Sequence, residues 1–198
     1  MNQNQQHEVV ITGFGGQGII LTGNILGKAA TIGDGRHATM TQSYGPEARG
    51  GACSTQVIVS DQEIAFPYAE NPRLLVCMSQ EGYENNRGAL VEGGIIVWDT
   101  DLVDTGELDP SWSAYHIPAT RMAEELGNKM MANIVMLGFV SAVSDVVGVE
   151  SLKEAMLGSV PPHTKEKNEL AFERGRDYGL AILKSRAKQE LSGEPSPS

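Results

Sequence analysis

Gly13, Gly15 and Gly18 stand at the spacing G-x-G-x-x-G, with Gly16 a further glycine inside it and Gln17 beside it. Glycines so spaced let the backbone approach phosphate oxygens closely. A helix starting just after them offers unpaired N–H groups and the positive end of its dipole. The context fits: the β-formers Val9, Val10 and Ile11 precede the glycines, and "IILTGNILGKAA" follows as helix-compatible sequence. A tight strand–helix crossing with no ligand would use the same glycines, and that alternative stays open. A second glycine-punctuated stretch, "SYGPEARGGA" at 43–52, carries Ser43, Arg49, Gly50 and Gly51. Arginine suits phosphate through its rigid fork of donors; the alternative is an ion pair between Arg49 and Glu47 on a solvated loop. The candidate binding residues are therefore Gly13, Gly15, Gly16, Gln17, Gly18, Ser43, Arg49, Gly50 and Gly51.

A nicotinamide dinucleotide asks for more, because an acidic residue at the end of the second strand must hold the ribose hydroxyls. That position falls near Thr41, Gln42 or Ser43, none of them acidic. Asp34 precedes the strand and belongs at the opposite edge of the sheet. Other chemistry is sparse. Cys53 and Cys77 are the two cysteines, in apolar surroundings that suit buried, reduced thiols, and two cysteines cannot ligate an iron–sulfur cluster alone. His116 reads as a structural histidine, with proton carriage as the alternative. His7, His37 and His163 are scattered, and no metal set emerges. Lys129 and Asn133 share one side of a helix at i, i+4, where they either reach a ligand or cap an interface. Met130, Met131 and Met136 suit packing against helices or a partner.

These residues need elements to hold them. The pattern predicts a buried strand over 8–12, a helix over 17–32 stopped by "GDG" at 33–35, and a strand over 36–42. Residues 53–66 read as two strands turned at 60–62, a hairpin that makes a purely parallel sheet unsuitable. Buried strands follow over 73–79 and 93–99 with a helix over 80–92 between them, then a shorter strand over 113–118. Helices fill the rest: 119–126, 130–147, one opened by "VESLKEAM", and 165–191. Such alternation implies a three-layer α/β/α Rossmann-like domain with a mostly parallel, mixed sheet. Residues 1–7 are expected to be a flexible N-terminus, 8–191 a single α/β domain, and 192–198 a disordered tail.

A formal net charge of −10 argues against nonspecific binding to nucleic acid or an anionic membrane. The apolar run 134–149 is broken by Gly138, Ser141, Ser144 and Asp145, so it reads as a core helix and not a membrane span. "MNQNQQHE" lacks the basic and apolar regions of a signal peptide, and a cytoplasmic protein is expected.

"GFGGQGIILTGNILGKAA", "QSYGPEARGGACSTQVIVSD" and "NKMMANIVMLGFV", in this order and spacing, resemble the gamma subunit of 2-oxoacid:ferredoxin oxidoreductases. The resemblance runs from about residue 9 to 183, and "SYGPEARGG" is its most specific part. The wording of that loop is nearest the 2-oxoglutarate form. The resemblance implies a gamma subunit that helps assemble the complex and bind coenzyme A, whose phosphates suit the glycine loop and Arg49. Thiamine diphosphate, magnesium and 4Fe-4S clusters then belong to partner alpha and beta subunits and a ferredoxin-like delta subunit, with ferredoxin as electron acceptor. No catalytic residue and no metal ligand is assigned to this chain. Gly33–Asp34–Gly35 superficially matches part of a thiamine motif, but Asn85 and Asn86 are too remote, so it reads as a helix stop. Two alternatives remain open at this point: a subunit for pyruvate or branched-chain oxoacids, and a standalone NAD(P)-binding oxidoreductase.

Overall fold

A computed structural model describes residues 6–45 and 51–192 of the protein. Six strands form one sheet: β1 (Gln6–Phe14), β2 (His37–Tyr44), β3 (Ala52–Ser60), β4 (Leu74–Cys77), β5 (Ile95–Asp99) and β6 (Ser113–Ile117). Their order is β2-β3-β1-β4-β5-β6. β1, β4, β5 and β6 run parallel, whereas β3 is antiparallel to both β1 and β2. The short apolar runs explain the centre: all four residues of β4 are buried, as a parallel strand covered on both faces requires.

The antiparallel element lies elsewhere than the sequence suggests. β2 and β3 are the antiparallel neighbours, with Tyr44 opposite Cys53, so the glycine-rich stretch joins them. The turn expected at 60–62 instead leads into an irregular segment, and residues 61–73 add no strand. Side chains satisfy its backbone: Ala69 N–H donates to Gln56 Oε1 (3.0 Å) and Asn71 N–H to Glu8 Oε2 (2.7 Å).

Helices α1 (Ile19–Lys28), α3 (Ala119–Glu125), α4 (Ala132–Val143), α5 (Val149–Leu157) and α6 (Lys165–Ser192) build the core on one face of the sheet. The short α2 (Gln80–Asn86) and irregular segments cover the other, around Val10, Leu75, Tyr83, Ile96 and Val103. Every residue of α4 except Ala142 is buried. It packs on α6 so closely that a Cβ at Gly138 would stand 1.9 Å from the Phe172 carbonyl oxygen, and one at Gly175 1.9 Å from that of Val135. Only glycine fits at this crossing.

Several helix limits differ from the sequence expectation. α1 begins at Ile19 and gives way at Ala29–Gly33 to a π turn, closed by Asp34 N–H on the Ala29 carbonyl (2.9 Å). The helix over 80–92 is α2 followed by a single 3-10 turn, Arg87–Ala89, and that over 130–147 is a 3-10 turn, Lys129–Met131, followed by α4. Asp34 does more than end a helix. Its carboxylate accepts from Gly148 N–H (2.8 Å) and Ser151 Oγ (2.5 Å), capping α5, whose own N-cap is a glycine. Asp99 serves α3 likewise, accepting from Thr120 N–H (2.8 Å) and Oγ1 (2.6 Å) where Pro118 occupies the N-cap.

Candidate functional site

The carboxyl ends of β1 and β2 and the start of β3 meet at one rim. Gly13 is paired with Cys53 and Phe14 with Ala52, while Ser43 lies exposed opposite Ser54. The chain then turns: Gln17 N–H donates to the Phe14 carbonyl (3.1 Å), and Phe14 N–H donates to Gln17 Oε1 (2.6 Å). Gly15 N–H donates to the Gly51 carbonyl (3.0 Å), which ties the first glycine loop to the end of the second. The structure thus brings together Gly13, Gly15, Gly16, Gln17, Gly18, Ser43 and Gly51. Arg49 and Gly50 lie outside the described residues.

The glycines divide by role. Gly16 (φ 95°) and Gly18 (φ 78°) occupy the left-handed region that disfavours side chains, and space is open where a Gly16 Cβ would stand. Gly18 is the N-cap of α1; no side chain caps this helix and its first turn carries no acid. The first intrahelical bond runs from Thr22 N–H to the Gly18 carbonyl (2.9 Å), so the N–H groups of Ile19, Ile20 and Leu21 precede the ladder. Donors at a helix start and the positive dipole end suit an anionic oxygen. The N–H groups of Gly15 and Gln17, by contrast, are spent inside the protein.

Asn133 resolves one open reading. It is buried on α4 and its Nδ2 donates to the Gly18 carbonyl (3.3 Å) and Thr22 Oγ1 (3.4 Å), bracing the loop from behind. Lys129 is exposed in the 3-10 turn and does not share this task. Nothing local marks Asn133 as a loop brace, because its partner lies 115 residues away.

The dinucleotide comparison also shifts. The parallel neighbour of β1 is β4, not the edge strand β2, so the position that selects NAD lies at the end of β4. Cys77, Met78 and Ser79 stand there, and none is acidic. Both cysteines are free and buried; burial raises the Cys53 thiol and pushes Cys77 up to about 12. His116 lies on β6 with its ring 5.2 Å from that of Trp98, and burial followed by the charge of Arg186 lowers its proton affinity. Among the described residues no group of three or more His, Cys, Asp or Glu could hold a metal ion, and no helix is long and apolar enough to cross a membrane.

A mixed sheet flanked by helices, with a glycine turn leading into a helix without a side-chain cap at its rim, defines an α/β protein. More particularly, residues 8–178 match the family model for pyruvate ferredoxin/flavodoxin oxidoreductase, and the chain belongs to that family. It is 48% identical over 177 residues to 2-oxoglutarate synthase subunit KorC of Methanocaldococcus jannaschii, covering 88% of this chain and 95% of the relative. Pyruvate synthase subunit PorC of the same organism is 29% identical, over 84% of this chain and 93% of its own. The crystal structure of a keto/oxoacid ferredoxin oxidoreductase gamma subunit from Geobacter sulfurreducens superposes with a TM-score of 0.78 at 37% identity, covering 88% of this chain and 99% of that one. A 2-oxoglutarate:ferredoxin oxidoreductase from Magnetococcus marinus, solved with 2-oxoglutarate, coenzyme A and succinyl-CoA, shares the fold at a TM-score of 0.82 and 23% identity, over 90% of this chain and 32% of that one.

Proposed function

We propose that this chain is the gamma subunit of a 2-oxoglutarate:ferredoxin oxidoreductase, a complex that converts 2-oxoglutarate to succinyl-CoA and passes electrons to ferredoxin. The observation that carries this reading is near-full-length identity of 48% to a 2-oxoglutarate synthase subunit against 29% to the pyruvate counterpart from the same organism. Thiamine diphosphate with magnesium and the 4Fe-4S clusters reside on the alpha, beta and delta partners in this proposal. The complex works in the cytoplasm.

The rim gives this chain a part in coenzyme A binding. Gly16 leaves open space for a phosphate, and the uncapped start of α1 faces the same turn with N–H donors. The Gly15–Gly51 bond ties the end of the second loop to the first, and Arg49 of that second loop is assigned to the ligand's phosphates. The chain's overall negative charge opposes an anion, so a local guanidinium is needed to offset it.

The test is reconstitution with the partner subunits and comparison of oxoacids, with turnover of 2-oxoglutarate expected to exceed that of pyruvate. Equal or better turnover with pyruvate overturns the substrate. In the same complex, Arg49→Ala should raise KM for coenzyme A roughly ten- to hundred-fold, the worth of one charge-assisted contact of ~1.5–3 kcal/mol. Gly16→Val should act in the same direction, since a branched residue resists its φ of 95°. Single-turnover reduction of the clusters by the oxoacid should survive both changes. An unchanged KM for coenzyme A, or loss of oxoacid-driven reduction in an intact complex, refutes the assignment of the rim.

A further inference from the structure

The two edges of the sheet are finished differently. At one edge, β6 is short, and its Ser113 N–H donates to the Gly94 carbonyl (2.9 Å) while its Ile117 carbonyl accepts from Thr100 N–H (3.1 Å). Ala114 and His116 therefore turn their backbone groups outward. Arg186 of α6 guards that side: it donates to the Ala114 carbonyl, with its guanidinium 4.3 Å from the centre of the Tyr115 ring. At the other edge, β2 runs for eight residues. Its ladder with β3 is unbroken by a bulge, and "HATMTQSY" holds no proline, lysine or carboxylate, the usual means of blunting a free edge. Gly45 N–H donates to the Ala52 carbonyl (2.7 Å), so the odd-numbered residues of β2 bond to β3. Ala38, Met40, Gln42 and Tyr44 then point their N–H and carbonyl groups away from β3, where the sheet has no further strand.

This edge complements itself. Laid antiparallel on its own copy about a two-fold axis at Thr41, every outward residue meets another: Ala38 faces Tyr44, and Met40 faces Gln42. The exposed Tyr44 ring comes over the smallest side chain of the strand, on the face where Ala38 and Met40 pack against the core. Ile32, 81% exposed in the π turn that precedes β2, stands beside the strand's start, the end that receives Tyr44 of the second copy. On the other face Thr39 meets Ser43 and Thr41 meets its own copy, hydroxyl pairs that stabilise neighbouring strands. No like charges face each other, although the net charge of −10 opposes self-association elsewhere on the surface. A strand from a different chain would give the edge no reason to match its own reverse.

We propose that β2 pairs antiparallel with β2 of a second copy of this chain, about a two-fold axis at Thr41, and joins two six-stranded sheets into one continuous sheet. The pair persists when the partner subunits assemble. The inference rests on the strand edge and does not depend on the ligand assigned to the glycine rim.

Sedimentation velocity of the full-length chain, together with oxidative cross-linking, tests this. Thr41 meets its copy in a non-hydrogen-bonded pair, where facing Cα atoms are about 4.5 Å apart, within reach of a disulfide. Thr41→Cys should therefore give a covalent dimer on mild oxidation, both alone and in the complex assembled with the partner subunits. Thr39→Cys should not, because in this register its two copies lie roughly 13 Å apart along the strands. Cys53 and Cys77 are buried and stay out of the reaction. Thr41→Lys and Thr41→Glu should each weaken the dimer up to about fivefold by setting like charges directly opposite. Mixed together, the two variants should pair with each other in preference to themselves. A wild-type chain that sediments as a monomer, or equal cross-linking of Thr39→Cys and Thr41→Cys, overturns the proposal. A Thr41→Cys link that is lost on assembly overturns it as well and assigns the edge to a strand of a partner subunit.

Discussion

Gly18 and Asn133 form one unit. A Cβ on Gly18 would stand 2.4 Å from Asn133 Nδ2, and the residue's φ of 78° already penalises any side chain. Gly18→Ala should therefore cost about 1–2 kcal/mol for the left-handed backbone, with the steric conflict in addition. Asn133→Ala removes a buried amide whose two bonds are long, and should cost about 1 kcal/mol. In the double variant the conflict is gone, so the two costs should not add. Urea denaturation of all three variants measures this, and strict additivity would refute the coupling. Asp99 yields a pH dependence. Burial raises its carboxyl above the usual range, more strongly than its bonds to Thr120 and Asp101 lower it. The native state therefore holds this proton more tightly than the unfolded chain does. Its contribution is favourable in acid and declines as pH rises from the ordinary carboxylate value to the raised one. Asp99→Asn should remove that falling component from a plot of stability against pH; an unaltered slope would contradict it. The G-x-G-x-x-G spacing was legible in sequence because it is local. Asn133 as its brace was not, because the contact exists only after α4 has packed beside α1.

At the scale of elements, two helices are capped from a distance. α5 has Gly148 at its N-cap and borrows the Asp34 carboxylate. Asp34→Ala should destabilise the chain by about 1–2 kcal/mol, in the range of a lost N-cap, and should speed amide hydrogen exchange in the first turn of α5. Unchanged exchange there would show that the cap contributes nothing. From sequence, Asp34 reads as a helix stop because its flanking glycines dominate the local signal; the helix it serves lies 114 residues further on. The strands were easier to read, since β1, β3, β4 and β5 are dense in buried β-branched and aliphatic residues. The hairpin was misplaced for a physical reason. Ser60, Asp61 and Gln62 carry turn chemistry, but Pro67 follows directly on the strand expected after them, and beyond it Ala69 and Asn71 donate to the Gln56 and Glu8 side chains in place of a ladder. The antiparallel pair formed instead across the longer glycine-rich connection, and that choice set the rim.

For the whole molecule, the placement of apolar surface carries the argument. Phe14 ends β1, Tyr44 ends β2, Leu21 lies in the first turn of α1, and Met130 lies in the turn leading to α4, whose Asn133 reaches Gly18. Their exposures are 37%, 63%, 37% and 57%, high for large hydrophobic side chains that cluster around one glycine turn. Scattered apolar residues on a surface are ordinary, whereas a group at one place marks a surface that another protein covers. Obligate interfaces are large and relatively hydrophobic, so the chain without its partners should leave this rim wet. Sedimentation velocity of the chain alone should accordingly show self-association, and addition of the partner subunits should yield one defined complex. Tyr44→Ser together with Met130→Ser should weaken both kinds of association. It should barely move the urea midpoint, because neither side chain belongs to the core. A chain that stays monomeric and ignores the partner subunits would contradict this placement of the interface. A double variant that assembles as well as wild type would move the interface to another face.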